Sequence, residues 1–88
     1  YKRQFPEVAS VDDLLKRMRN RPAAVRFTDL QRVCRHYFGE PRRAKGSHEI
    51  YKMPGPGDPR VNIQNFKGKA KPYQVKQVLA AIDRLEER

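Results

Sequence analysis

The sequence predicts an α+β domain of two layers: a small three-stranded antiparallel sheet with helices on one face, in the order α-α-β-β-β-α. Two observations carry that expectation. Three stretches repeat apolar residues at spacings of three and four, and between the second and third lie short β-branched and aromatic runs separated by turn residues. Length supplies the rest, because 88 residues make one domain and bury only about 60 to 65% of their unfolded surface. A three-stranded meander is not stable with both faces wet, so the helices are expected to cover one face and leave the other open.

Residues 1–9 lack periodicity and contain Pro6, and read as an N-terminal tail to a domain spanning 10–88. Ser10 with Asp13 resembles a helix cap, and Val11, Leu14, Leu15 and Met18 form one face of a helix over 11–20. Arg21-Pro22 stops it, since the residue before proline disfavours helical angles. Thr28 followed by Gln31 has the capping-box pattern, and Leu30, Val33, Cys34 and Tyr37 supply the stripe of a helix over 29–38. Gly39 stands where a left-handed residue ends such a helix. His36, near that end, reads as structural, because an imidazolium there gains from the helix dipole. Strands are expected over 41–46, 48–53 and 60–65, the last two joined by the proline-restrained loop from Pro54 to Pro59. Lys67-Gly68-Lys69-Ala70-Lys71 reads as a cationic loop. Pro72 then opens a helix over 72–87 marked by Val75, Val78, Leu79, Ile82 and Leu85.

Charge narrows the partners. Twenty Lys and Arg against ten Asp and Glu give a net charge of +10, spread along the chain, which favours a polyanion. Nucleic acid is preferred to a membrane, because no segment is long and apolar enough to span a bilayer. Cys34 is alone in an apolar helical pattern and reads as a buried reduced thiol, which fits the cytoplasm and excludes a disulfide framework. One Cys and two distant His offer no paired ligand spacing, so no metal or other cofactor is expected.

The stretch from Arg42 to Lys52 concentrates the chemistry. It holds cations, a glycine turn, a hydroxyl and an imidazole, a set suited to phosphodiester work. Unperturbed imidazole titrates near pH ~6.5, so His48 is the candidate for taking and giving a proton. Arg42, Arg43, Lys45, Lys52, Lys67, Lys69 and Lys71 are candidate phosphate-binding residues, with Gly46 and Ser47 giving a close backbone approach and a hydroxyl. Gly-Ser before a strand is equally ordinary turn chemistry. Strand alternation sends His48, Ile50 and Lys52 one way and Glu49, Tyr51 and Met53 the other, which makes Tyr51 core.

The string Lys45-Gly46-Ser47-His48-Glu49-Ile50-Tyr51, set among Thr28-Asp29-Leu30 at a helix start, Val61-Asn62-Ile63 in a strand and a closing helix, resembles the HicA toxin family of bacterial toxin-antitoxin systems. The likeness runs from about Thr28 to Leu85. It implies a fold like a double-stranded-RNA-binding domain. It also implies a ribonuclease that cleaves messenger RNA and halts translation until a HicB antitoxin neutralises it, with the family's essential histidine at His48. The chain departs from the family pattern in three places: the helix over 11–20 is additional, the glycine-aromatic pair is reversed as Phe38-Gly39, and the second histidine of many members falls nearest Phe66.

For such an enzyme the simplest route is attack by the substrate's own 2′-OH on the adjacent phosphorus, with His48 as general acid or base. Arg43, Lys45 and Lys67 or Lys69 would offset charge on the phosphorane. Two other classes fit the same charge: a non-catalytic module of the double-stranded-RNA-binding kind that holds nucleic acid through phosphates, and a subunit docked by its basic face on an acidic protein.

Overall fold

The computed structural model describes residues 10–53, 56, 57 and 59–86; the expected tail, parts of the proline-rich loop and the end of the last helix at 87 lie outside them. The chain is α+β. Its elements are α1 (Val11–Asn20), a 3-10 turn (Pro22–Ala24), α2 (Phe27–Phe38), β1 (Arg43–Lys45), β2 (His48–Lys52), β3 (Arg60–Phe66), β4 (Lys69–Ala70) and α3 (Pro72–Glu86). The sheet is antiparallel in the order β1-β2-β3-β4.

A fourth strand corrects the three-stranded expectation and makes the order α-α-β-β-β-β-α. The cationic run 67–71 holds a reverse turn and a strand because Lys67 and Gly68 both take positive φ, 54° and 85°. That pair of angles matches the right-handed twist of the flanking strands and folds the chain back on β3. Asn65 fixes the turn by accepting the Gly68 N–H on Oδ1 at 2.6 Å.

The start of α2 also differs from expectation. Helix geometry begins at Phe27, and no side chain caps the end. Thr28 and Gln31 therefore make no capping box. The orphan N–H of Phe27 donates instead to the carbonyl of Gly68 at 3.0 Å, and Val25 accepts the Ala70 N–H at 2.9 Å. Residues 25–27 thus lie along the outer edge of β4, with Arg26 bridged to Lys69. Tertiary structure supplies the acceptor that a local cap would otherwise provide.

Elsewhere local chemistry decides. Ser10 Oγ accepts the Asp13 N–H at 3.2 Å at the head of α1. Gly39 ends α2 at φ 84°, ψ −161°, a region essentially closed to residues with a Cβ. At the head of α3, Pro72 needs no N–H acceptor, and the Lys71 carbonyl takes the N–H groups of Gln74 and Val75 at 3.0 and 3.1 Å.

α2 and α3 lay their apolar faces on one face of the sheet, and α1 packs its own apolar face against those two helices. Leu14, Met18, Leu30, Val33, Cys34, Tyr51, Ile63, Val75, Val78 and Ile82 are fully buried there. Arg19 on α1 reaches Asp83 on α3 at 2.8 Å, an exposed pair that ties the outer helices together.

Candidate functional site

Register sorts the polar side chains of the sheet by face. Across β1, β2 and β3, Lys45 lies opposite His48, which lies opposite Gln64; Arg43, Ile50 and Asn62 form the next row; Lys52 faces Arg60. Directly opposed residues share a face, and this face is the one the helices leave open. His48, Arg43, Lys45, Lys52, Arg60 and Asn62 are exposed, whereas Ile50 and Gln64 are half-buried. The alternation expected of β2 holds, since Glu49, Tyr51 and Met53 are buried beneath it.

His48 is the first residue of β2, next to a two-residue turn. Gly46 has φ 60°, and Ser47 has no positive φ, the combination that places glycine first in a hairpin turn. The Ser47 carbonyl accepts the Asn65 N–H at 2.8 Å, clamping the hairpin to β3. A Cβ on Gly46 would meet nothing within 4 Å, so this glycine serves the turn angle and not a close approach.

The other expected phosphate-binding residues divide. Arg42 and Arg43 line a cavity of about 260 Å³ with Ile50 and Arg60. Lys69, paired with Phe66, belongs to the open face by alternation from Gln64, and exposed Arg26 continues the row from Lys69. Lys67 sits in the turn beyond, its Nζ 5.5 Å from the centre of the Phe66 ring. Lys71 is half-buried at the junction of β4 and α3, where its carbonyl serves the helix start. Arg26 and Arg60 were not singled out by sequence, although period-two alternation from Val61 and Ile63 marks Arg60. His36 is exposed and packs edge-on against Tyr37, ring centres 4.9 Å apart.

Beneath the sheet lies a second polar cluster, also unmarked by sequence. Glu49 is 8% exposed. Its Oε2 accepts from Gln31 Nε2 at 2.6 Å and faces the Arg35 guanidinium at 3.7 Å. Its Oε1 accepts from the Tyr51 hydroxyl at 2.5 Å. Burial, reinforced by the bond to Glu49, pushes the Tyr51 phenol far up. Burial likewise raises the neighbouring Cys34 thiol. Glu49 and Tyr51 are closed to solvent and satisfy each other, with half-buried Gln31 and exposed Arg35 at the rim, so the cluster pins α2 to β2 and has no buried acid or base to lend a substrate.

Among the described residues no three His, Cys, Asp or Glu side chains are grouped to hold a metal ion, and no helix is long and apolar enough to cross a membrane. A hollow of about 510 Å³ between the start of β3 and α3 has Arg60 and Arg84 but no carboxylate or imidazole among the described residues that line it. Comparison with known protein families, characterised proteins and solved structures gives no match for the chain.

Proposed function

We propose that the chain is an RNA-cleaving toxin of the HicA kind, with a double-stranded-RNA-binding-like arrangement of its sheet and helices, and that the open face is its RNA site. One observation carries this reading: the exposed His48 opens a strand on the uncovered face, with Lys45 directly across and further cations on the same rows. RNA phosphates lie along Arg43, Lys45, Lys52 and Lys69, with Arg26 and Arg60 extending the track. Such contacts position a backbone without reading its sequence.

His48 serves as the general acid or base. It takes the proton of the 2′-OH as that oxygen attacks the adjacent phosphorus, or delivers one to the departing 5′-oxygen. The bond from phosphorus to the 5′-oxygen breaks as the new one forms, leaving a cyclic phosphate and a free 5′-hydroxyl. Lys45 is placed to offset charge on the phosphorane. In a cell this activity belongs in the cytoplasm, held in check by a HicB-like antitoxin whose acidic groups match the basic face.

The decisive experiment incubates purified protein with end-labelled RNA. Wild type should cleave, His48→Ala should bind with unchanged affinity and cleave at least ~100-fold more slowly, and a 2′-deoxy residue at the scissile position should block the reaction. Equal cleavage by His48→Ala removes His48 from the chemistry. Tight binding without cleavage by wild type leaves the non-catalytic binding module in its place.

A further inference from the structure

We infer that Phe66 is a stacking platform for an unpaired RNA base, placed so that the phosphodiester beside that base crosses His48; the inference rests on the RNA reading of the open face. An exposed phenylalanine alone carries little weight. Its position carries more.

Phe66, the last residue of β3, is 57% exposed on the open face, opposite the face on which Val61 and Ile63 are buried. It is surrounded by positive charge. Lys67 Nζ stands over the ring, Lys69 lies directly opposite on β4, and Arg26 follows Lys69. Lys67 adopts a left-handed backbone conformation as a residue with a side chain, a place where glycine or asparagine costs less, yet the turn holds its ammonium against the aromatic face. A hydrophobic surface ringed by cations suits a ligand that is flat, apolar in its faces and anionic in its linkage. A nucleobase on its sugar-phosphate chain has that description.

The register links this surface to His48. Gln64 faces His48 across the strands, and Phe66 is the next residue on the same face of β3. Diagonal neighbours of this kind stand about 7–8 Å apart, within reach of long and aromatic side chains. An extended strand of RNA covers that separation with about one nucleotide, so a base seated on Phe66 puts its own phosphodiester at the imidazole. Bases in a duplex are held in their stack and cannot occupy such a platform; stacking on aromatic side chains is how unpaired bases are bound. The substrate is therefore a single-stranded segment with a splayed base.

The test uses 2′-O-methyl RNA, which cannot be cleaved through its own 2′-oxygen. Phe66→Ala should bind a single strand about 5- to 100-fold more weakly than wild type and bind the same strand made abasic with unchanged affinity. Circular dichroism checks that the variant is folded. Phe66→Trp should keep the affinity, and because the chain has no tryptophan its indole emission reports the site alone: quenching by the oligonucleotide and none by inorganic polyphosphate supports stacking. Undiminished binding of the base-bearing strand by Phe66→Ala, an equal loss on the abasic strand, or an unquenched indole overturns the inference while the RNA reading stands. Failure of wild type to bind either strand removes both.

Discussion

His48 and Glu49 are adjacent in sequence and occupy opposite environments. Glu49 points under the sheet, where Gln31, Tyr51 and Arg35 meet its oxygens and Cys34 packs beside it. His48 points away from the helices, exposed, between Lys45 and Gln64. A buried charge needs its partners inside the fold, so the lower face is complete in itself. The upper face gathers cations that the core does not require. Chemistry available to another molecule is therefore to be sought above the sheet, and the more conspicuous polar network below it is structural.

The comparison can be broken by substitution. The largest contrast lies at His48, where alanine should remove cleavage and leave the melting temperature unchanged; a large loss of stability would place the imidazole among the structural groups. Next comes a matched pair on β3. Ile63 is fully buried and Asn62 is exposed, so Ile63→Ala should cost about 2–5 kcal/mol by urea denaturation and Asn62→Ala less than about 0.5 kcal/mol. Similar values would mean that the upper face is also packed.

Tyr51→Phe should cost roughly 1–3 kcal/mol, because it leaves the nearly buried Glu49 one donor short. Its effect should shrink in a Glu49→Gln background, since the two residues share one network. The smallest effect expected is a pH dependence. Folding raises the Tyr51 phenol and the Cys34 thiol above their usual values. Their contribution is thus complete below the unfolded values, about 8.5 for a thiol and about 10 for a phenol, and is lost as pH climbs beyond them toward the folded values. Denaturation midpoints should fall between about pH 8 and pH 10.5, less steeply in Cys34→Ala. At the other extreme the Arg19 hydrogen bond lowers the Asp83 carboxyl, so that pair's contribution is present above the unfolded carboxyl value of about 3.9 and is lost as pH falls from there through the lowered folded value.

Much of this arrangement is legible in the chain. Ser10 caps a helix over 11–20, the stripe from Val75 to Leu85 marks α3, and alternation from His48 to Met53 assigns the two faces. Those signals are local, and physics acts on them locally. What escapes is set by contacts distant in sequence. Lys69-Ala70 has no strand propensity of its own; it pairs because the turn at Lys67-Gly68 returns it to β3. Gln31 looks like a capping residue from its spacing to Thr28, but Glu49, 18 positions away, takes its amide. Gln31 and Arg35 are one helical turn apart on α2, and Glu49 shares a strand face with Tyr51. That coincidence of spacings is the trace the cluster leaves in sequence. Arg26 reaches the open face through a backbone bridge that nothing in its neighbours announces.

Cys34 offers a use that none of its neighbours do. The chain's one thiol lies wholly inside, on the buried face of α2, so alkylating reagents reach it only when that helix parts from the strands. The ratio of its labelling rate in the native protein to that in urea is a direct reading of how often the domain breathes, taken at a single atom and without any probe having to be introduced.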